Sequence, residues 1–523
     1  MPLANEKPQQ PAQVLSAKVI LSWLASLPIF AIIYMTIPPS PDQSQFDWMA
    51  FIATQGRPVY AGSFDMNWPG AMWLHEAGLR IFGVHAWTWR LTDFLLMAVF
   101  TLGGAVFLSR AGWRLAPTLF LFLYPPLYIT AGVWMAGQRD IIATGFLILA
   151  CALAMPGRRR EWVVVFAAGV CVAVAVLIRP TFLSYIAGLI LLEALPLKVQ
   201  LERRLSRGAR AAGFGLGCAF GLGCGVLAGV LMGNLDDWYQ QSFEFALSIY
   251  VGSAPQDWRV TLQTLFLRSW HWMTLLGLIG FLFWAWRDRF GYALILVLGI
   301  ATTLAVSFTV QNKGFGYHLG GMLPVLILLT AVALDSINGL RLTASSGLRR
   351  TVSIGALAIF GFLTFAGIAS KLQNFEENIR VLLAGEIWPV AGYGLTEAER
   401  RKIITLISEG STEEETIALY GTQYELPYRA ERMPAYRYFT PAADQIDPRF
   451  VHFDAWMTEV DAGLTSNPPA FVIMQKRMLE RFNINSDTPQ PNRPILTRLV
   501  AHVSIAHVVV FENDNLLVYQ RQP

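Results

Sequence analysis

The sequence predicts a polytopic α-helical membrane protein with about eleven transmembrane helices and a C-terminal α/β domain. Of its 523 residues, 54% are apolar and only 15% are charged, whereas a soluble surface needs about a quarter of its residues charged. The mean hydropathy is +0.44, and apolar runs long enough for a bilayer recur through residues 1–370. Basic residues cluster in alternate connections between these runs. Together the observations exclude an ordinary cytosolic enzyme.

The overall charge and the cysteines exclude further classes. A formal net charge of +4 is too small to indicate a nucleic-acid partner. The cysteines lie inside apolar runs, so they predict neither a disulfide framework nor a zinc site. They are Cys151, Cys171, Cys218 and Cys224.

The first apolar run, residues 18–38, is too long for a signal-peptide core and lacks a small-residue cleavage site, so we interpret it as a retained span. A second feature, the glycine-rich stretch 213–225, lies inside a run with no strand before it, which favours close helix packing over a nucleotide-binding loop. The further predicted spans are residues 87–108, 115–132, 141–155, 162–178, 181–195, 211–232, 270–286, 292–310, 319–337 and 352–369.

Short basic loops stay in the cytoplasm, so their distribution predicts the orientation of the chain. With the N-terminus inside and an odd number of spans, the opposite loops and the region after about residue 370 face the outside. In a bacterium this places the chain in the inner membrane with those parts in the periplasm. The basic loops contain Arg110 and Arg114; Arg158, Arg159 and Arg160; Lys198, Arg203, Arg204, Arg207 and Arg210; Arg287 and Arg289; Arg341, Arg349 and Arg350.

Two outer segments are longer than connectors need to be. The first loop, residues 39–86, contains amphipathic stretches at 46–54 and 71–82 that we expect to lie flat at the membrane interface. The second segment, 371–523, has the charge density of a soluble domain. Its runs 416–420, 470–474, 503–511 and 516–519 predict strands, and 397–408 predicts a helix. We therefore predict a membrane domain over 1–370 and a periplasmic α/β domain over 371–523.

The first loop carries the residues best suited to chemistry. Asp42, Asp47, Asp65 and Asn67 stand among aromatic residues close to the predicted membrane surface. Carboxylates in that position suit a substrate whose tail lies in lipid and whose head lies in water. A solvated polar loop is the alternative.

The loop resembles that of the GT-C superfamily of membrane glycosyltransferases, in particular aminoarabinose transferases, protein O-mannosyltransferases and galacturonosyltransferases. Asp42 falls at the first acid of the family's acidic pair. Gln43 replaces the usual Glu, and Asn67-Trp68 replaces a common Lys-Pro, so a cation for a lipid phosphate must come from elsewhere. The other matching positions follow without a gap, namely Phe46, Ala50, Gly56, Tyr60, Asp65, Pro69, Gly70, Phe82-Gly83 and Arg90-Leu91.

The resemblance continues to about residue 340 and implies a donor-phosphate site. Charged residues at the predicted outer ends of spans resemble the groups that these enzymes place around the phosphate. An Arg at a span end is also typical of a snorkelling anchor, and a His there could cap a helix. The residues concerned are Arg139, Arg179, Lys313, Tyr317 and His318.

The resemblance also implies a mechanism. The donor is a sugar on a polyprenyl phosphate, and the acceptor is a glycan or lipid of the cell envelope. Asp42 acts as the base on the acceptor hydroxyl, Asp65 orients acceptor or sugar, and Asp47, Asn67 and Asp140 help to position substrate. Attack opposite the leaving phosphate predicts inversion. No cofactor is required, although binding of a divalent ion by Asp42 and Asp65 remains an alternative.

Several alternatives remain at this point. Asp47 competes with Asp42 as the base, although a charge on a helix surface is its ordinary interpretation. A lipid-linked glycan flippase or transporter lacks support, because the sequence shows no internal repeat and no pair of carboxylates in the middle of a span. Asp335 does not qualify as such a carboxylate, because it lies near the end of a span. A glycan polymerase or ligase, or a scaffold without catalysis, ranks below the transferase. The aromatic stretch 420–439 is assigned no chemistry, with an acceptor-binding or lid role as a hypothesis.

Overall fold

The computed structural model describes residues 15–156, 160–194, 205–252, 257–288, 291–343, 394–440, 442–480 and 493–522, with short pieces between 351 and 362. The chain divides into two compact units. We call the first the helical unit, which consists of Met1–Ile32, Phe94–Gly223 and Gln256–Phe375. We call the second the mixed unit, which consists of Ile33–Asp93, Cys224–Pro255 and Glu376–Pro523.

Helices account for nearly all regular structure before residue 394. Two of them continue into π-helices, which are rare beyond a single turn: α10 into Gln240–Tyr250 and α11 into Gln263–Ser269. In chain order the helices are α1 (Ala17–Met35), α2 (Pro41–Thr54), α3 (Gly70–Phe82), α4 (Thr88–Arg110), α5 (Ala116–Ile129), α6 (Arg139–Ala154), α7 (Glu161–Ile178), α8 (Leu183–Ala194), α9 (Arg207–Leu231), α10 (Leu235–Tyr239), α11 (Trp258–Leu262), α12 (His271–Asp288), α13 (Tyr292–Gln311) and α14 (Met322–Thr343), with short 3₁₀ turns at Pro180–Phe182 and Gly316–Leu319.

Each predicted span from residue 18 to residue 337 falls on a helix, but the count of about eleven is not confirmed. Some of the helices, such as α5 with 14 residues and α6 with 16, are shorter than a bilayer requires. The predicted span 352–369 lies almost wholly outside the described residues. Within the described chain six helices are long and apolar enough to cross a membrane, or seven if a bent pair is one span. The six are Ala17–Met35, Thr88–Arg110, Glu161–Ile178, Arg207–Leu231, Tyr292–Gln311 and Met322–Gly339.

The helical unit is held together by close helix contacts and by one helix cap. A Cβ atom at Gly169 or Gly217 would collide with a carbonyl oxygen of the opposite helix, Phe214 or Phe166, so α7 and α9 pack through their glycines as predicted. Asp335 of α14 accepts hydrogen bonds from the first backbone N–H groups of α5, at 2.8 to 3.1 Å. Its carboxylate therefore stabilises a helix terminus.

The mixed unit contains a four-stranded sheet in the order β1-β2-β4-β3. β1 is parallel to β2, and the other neighbours are antiparallel. The predicted strands are confirmed except at 503–506, which is helical. The strands are β1 (Ile417–Tyr420), β2 (Phe471–Gln475), β3 (His507–Glu512) and β4 (Leu516–Arg521); the helices are α15 (Glu397–Glu409), α16 (Glu425–Arg429), α17 (Phe453–Ser466), α18 (Lys476–Glu480) and α19 (Pro494–Ala506), with a 3₁₀ turn at Ala443–Gln445.

The core of the mixed unit recruits residues from distant parts of the chain. Phe64 of the first loop and Phe245 of the π-helix are fully buried beside Trp456, Val472 and Leu499. The two amphipathic stretches of the first loop are helices, α2 and α3, as predicted. However, α2 is buried on nearly all sides, and the expectation that the two helices lie flat at the membrane interface stays a prediction.

Two further predictions rest on parts that the structure does not describe. The boundary between 370 and 371 falls there, so the domain division stays a prediction. Sidedness stays a prediction as well, since several basic residues used for it also lie outside the described residues, namely Arg158, Arg159, Lys198, Arg203, Arg204, Arg289, Arg349 and Arg350.

Candidate functional site

Asp42 lies in the first turn of α2, where a capping box fixes the start of the helix. The Ser40 hydroxyl accepts a hydrogen bond from the Gln43 backbone N–H at 3.3 Å, and the Gln43 side-chain oxygen accepts one from the Ser40 N–H at 3.1 Å. Gln performs this reciprocal cap as Glu does. The replacement of Glu by Gln43 therefore preserves the local structure, and it leaves Asp42, which is half-buried, as the carboxylate at the positive end of the helix.

The segment before α2 is fixed by Arg90 of α4, which is fully buried. Its guanidinium donates to the carbonyl oxygens of Ile37 at 2.9 Å and Pro38 at 2.5 Å. It also donates to the Tyr34 hydroxyl at 2.8 Å, which in turn donates to Asp93. Three directed hydrogen bonds from one planar group hold the chain that leads into Asp42.

Asp65 is buried and is held by side-chain amides. Its Oδ2 accepts a hydrogen bond from Gln45 at 2.6 Å, and its Oδ1 accepts from the backbone and side-chain N–H groups of Asn67 at 2.6 and 2.5 Å. Asn67 stands where the resemblance has a lysine, so a neutral donor replaces a cation beside this carboxylate. The geometry brings Asp65 and Asn67 together, as expected for residues that act in one place.

The segment around α10 and its π-helix braces the first loop, and the sequence reasoning missed it. Gln241 accepts from the Asp65 backbone N–H at 2.9 Å and donates to the Tyr60 carbonyl at 3.0 Å. Ser242 donates to the Asn67 carbonyl at 3.1 Å, and Asn234 donates to that of Val59 at 2.6 Å. The signal that could have revealed the segment is its polar side chains directly after an apolar run.

Asp47 is not a surface charge, contrary to expectation. It is 4% exposed and its Oδ1 lies 2.7 Å from His75 Nδ1 of α3. The His75 ring stacks on Trp89, with ring centroids 3.4 Å apart. Burial lowers the pKa of His75 below its usual value, although Asp47 opposes the shift. Asp47 therefore links α2 to α3, because its carboxylate is engaged by a buried imidazole.

The first loop is also joined to the C-terminal region. Trp48 Nε1 donates to the Arg432 carbonyl at 2.9 Å, and its ring lies 4.2 Å from that of Phe439. The Phe64 backbone N–H donates to the Arg437 carbonyl at 2.8 Å, and the Thr440 hydroxyl donates to the Phe64 carbonyl at 3.1 Å. These bonds fix both α2 and the chain that enters Asp65.

In the helical unit, Arg139 and Asp140 open α6 and Arg179 follows α7. Arg179 Nε lies 2.9 Å from Asp140 Oδ1, and the guanidinium also donates to Gln311. Arg179 is 5% exposed and Asp140 is 1% exposed. The alternative that Arg179 is a snorkelling anchor is therefore wrong, since a snorkelling side chain extends its charge into water.

The connection between α13 and α14 adds Lys313, Tyr317 and His318. Tyr317 stacks on Trp134, with centroids 5.6 Å apart. Among the described residues, His318 Nδ1 has no hydrogen-bond partner, and the ring is 4% exposed. Burial lowers the pKa of His318 well below its usual value, and Arg179, Arg139 and Lys313 lower it further. The three cations are themselves buried, so their charges disfavour a further positive charge on the His318 ring.

The structure thus groups the predicted residues within their own units. Asp42, Asp47, Asp65 and Asn67 belong to the mixed unit, whereas the predicted phosphate residues and Asp140 belong to the helical unit. For a metal, the described residues offer no group of three or more His, Cys, Asp or Glu side chains.

The fold of the chain is similar to that of solved ArnT structures. The chain is similar to ArnT from Cupriavidus metallidurans bound to undecaprenyl phosphate, with a TM-score of 0.60 and 13% identity over 97% of this chain and 98% of that one. The apo state of ArnT gives a TM-score of 0.57 and 14% identity, with 96% and 98% covered. An oligosaccharyltransferase from Archaeoglobus fulgidus gives 0.48 and 13%, with 87% and 70% covered. No family model and no curated protein sequence matches the chain.

Proposed function

We propose that this protein is a glycosyltransferase that moves a sugar from a polyprenyl-phosphate donor to a glycan or lipid acceptor of the cell envelope. The observation that carries the proposal is a set of buried cations in the helical unit, Arg139, Arg179 and Lys313, with Arg179 fixed by Asp140 at 2.9 Å, in a chain with a fold similar to that of ArnT. Guanidinium and ammonium groups bind phosphate oxygens through charge-assisted hydrogen bonds. The ArnT structure bound to undecaprenyl phosphate supports a phosphate of that kind.

In this proposal Asp42 is the base. Its carboxylate takes the proton of the acceptor hydroxyl as the oxygen attacks the anomeric carbon of the donor sugar. The bond from that carbon to the phosphate oxygen breaks, and the electron pair leaves with the lipid phosphate. The cations offset the charge that grows on the phosphate. Attack from the side opposite the phosphate inverts the anomeric centre.

The remaining predicted residues have supporting roles. Asp65 orients the acceptor or the sugar, and Asn67 holds Asp65 through two hydrogen bonds. Asp140 holds Arg179 in place, and Asp47 aligns α2 through His75. Tyr317 completes the phosphate residues. The reaction as proposed needs no metal or other cofactor.

We also propose that the chain lies in the bacterial inner membrane with about eleven spans and with the reacting residues on the periplasmic side. The alternating basic loops support this orientation. Donor sugars on polyprenyl phosphate diffuse within the membrane, so no nucleotide has to be supplied outside the cell. The region 371–523 would then be periplasmic.

Replacement of Asp42 by Asn tests the proposal. In a strain that lacks the chain, mass spectrometry of envelope lipids and glycans identifies the sugar-bearing product that is lost. Reintroduced Asp42→Asn should form that product at least about 100-fold more slowly, because a positioned general base contributes about 10²- to 10⁴-fold. The amount of protein in the membrane should be unchanged.

Asp47→Asn is the matched control, and its effect should be milder. The amide oxygen of the substituted side chain could still accept a hydrogen bond from His75, so α2 and α3 stay joined. Product formation at the normal rate by Asp42→Asn, or a larger loss in Asp47→Asn, would contradict the assignment of the base.

A further inference from the structure

Tyr424 precedes α16 and carries a deeply buried hydroxyl. The residue is 1% exposed, and its Oη has no hydrogen-bond partner among the described residues. Two other tyrosines of the same unit are paired: the Tyr428 hydroxyl donates to the His85 carbonyl at 3.1 Å, and that of Tyr438 donates to Glu459 at 2.8 Å. Buried polar groups are nearly always paired, so a buried hydroxyl such as that of Tyr424 needs a hydrogen-bond partner.

The position of the ring points to that cause. Tyr424 precedes α16, and α16 packs against α2, the helix that begins beside Asp42. The Tyr424 ring centroid lies 6.4 Å from that of Trp48 and 6.2 Å from that of Phe439. Contacts on two sides hold the ring, so the direction of its hydroxyl is fixed by packing.

Carboxylates of the mixed unit act on the Tyr424 hydroxyl electrostatically. Burial raises the pKa of Tyr424 well above its usual value, and the carboxylates of Asp42, Asp65 and Asp444 raise it further. Two of these carboxylates are the ones to which the proposed reaction gives roles. The phenol stays protonated at neutral pH, so it can donate a hydrogen bond but cannot serve as a base.

We propose that Tyr424 Oη donates a hydrogen bond to an oxygen of the acceptor, so that the C-terminal region supplies a substrate-binding group to the site of Asp42 and Asp65. The inference rests on the proposed function and extends it to the acceptor, which must carry a hydrogen-bond-accepting oxygen near the attacking hydroxyl. A hydrogen bond to such an oxygen would satisfy the Tyr424 hydroxyl. The C-terminal region is then a part of the acceptor site.

Tyr424→Phe removes only the hydroxyl oxygen and keeps the ring against Trp48. Tyr436→Phe is the matched control, because Tyr436 is also buried, 5% exposed, and its Oη likewise has no partner among the described residues. The carboxylate that raises the pKa of Tyr436 is that of Asp444. Removing an unpaired buried hydroxyl does not destabilise a protein, so both variants should melt at the wild-type temperature or slightly above it.

The experiment uses the full-length chain in the strain that lacks it, and measures how fast the sugar-bearing product appears after induction. Tyr424→Phe should lower this rate about tenfold, the effect of one lost hydrogen bond to substrate, whereas Tyr436→Phe should stay within about twofold. Purified wild-type and variant proteins should bind undecaprenyl phosphate equally, because Tyr424 contacts the acceptor.

If Asp42→Asn is inactive, two results would overturn the inference. One is an equal rate of product formation in Tyr424→Phe and Tyr436→Phe, and the other is a lower rate in Tyr424→Phe that is fully accounted for by a smaller amount of folded protein. An active Asp42→Asn variant would instead refute the proposed function itself. The Asp42 and Tyr424 variants therefore separate the two failures.

Discussion

The two groups of charged residues are held in opposite ways. In the mixed unit, Asp65 accepts hydrogen bonds from neutral amides and Asp47 from an imidazole whose pKa is lowered by burial. In the helical unit, Asp140 is paired with the permanent cation Arg179. Neutral donors orient a carboxylate without cancelling its charge, whereas the ion pair fixes the position of a guanidinium through an opposite charge. The first arrangement suits proton removal, and the second suits a cation that has to be held in one place.

The largest expected effect comes from breaking the ion pair of the helical unit. Arg179→Gln leaves the Asp140 carboxylate buried without its closest cation, which should lower the free energy of unfolding by about 3–5 kcal/mol. Denaturation of the purified protein in lipid nanodiscs measures the loss. Arg80→Gln is the control, since the exposed pair of Arg80 with Glu76 should contribute less than about 1 kcal/mol. If both variants lost the same free energy of unfolding, the buried ion pair would contribute no more than an exposed one, and the prediction would be wrong.

A smaller effect should follow from removing one cation that has no role in that ion pair. Lys313→Ala should weaken binding of undecaprenyl phosphate about tenfold, or about 1.4 kcal/mol, because one of the three cations around His318 is lost. Titration of the purified protein with undecaprenyl phosphate measures the affinity. Lys476→Ala, which removes a cation paired with Glu512 in the C-terminal region, should bind as the wild type does. An unchanged affinity in Lys313→Ala would remove Lys313 from the phosphate residues.

The smallest effect concerns pH. His318 has a pKa below its usual value in the folded protein, so the unfolded chain binds a proton more readily. Above pH about 6.5 His318 is neutral in both the folded and the unfolded chain, so it adds no pH dependence. As the pH falls from there toward the lowered pKa, the unfolded chain takes up the proton first, and the free energy of unfolding decreases by up to about 1.4 kcal/mol per pH unit. His318→Gln should therefore lose less stability than the wild type between pH 6.5 and 5.5, as followed by melting temperature. Parallel pH profiles would show that His318 is not neutral when folded.

Much of the helical architecture could be predicted because hydropathy is a local property. The first loop was also predictable, since Asp42, Asp65 and Asn67 stand in a recognisable pattern of glycines, prolines and aromatic residues. Gln43 is instructive, because a departure from the family pattern proved to preserve the helix cap. Position in the sequence therefore identified the loop and its two helical stretches, whereas the cap at Ser40 became apparent in the structure.

Burial and distant pairing could not be predicted. Asp47 looks like a surface charge until His75, 28 residues away, is packed against it. Gln241 and Tyr60 are separated by 181 residues, and nothing local marks either as a partner. The unpaired hydroxyl of Tyr424 likewise becomes visible only when Trp48 and Phe439 surround its ring. These features depend on which surfaces meet, which the hydropathy pattern does not encode.

The bond from the Trp48 indole to the Arg432 carbonyl joins residues 384 positions apart, and this separation imposes a delay during biosynthesis. At about 5–20 residues per second, roughly 20–80 s pass between translation of the two residues. Throughout that interval the nascent helix that carries Asp42 lacks the surface against which it settles. A ribosome that terminates before residue 432 would release a chain in which the Trp48 indole lacks this hydrogen-bond partner.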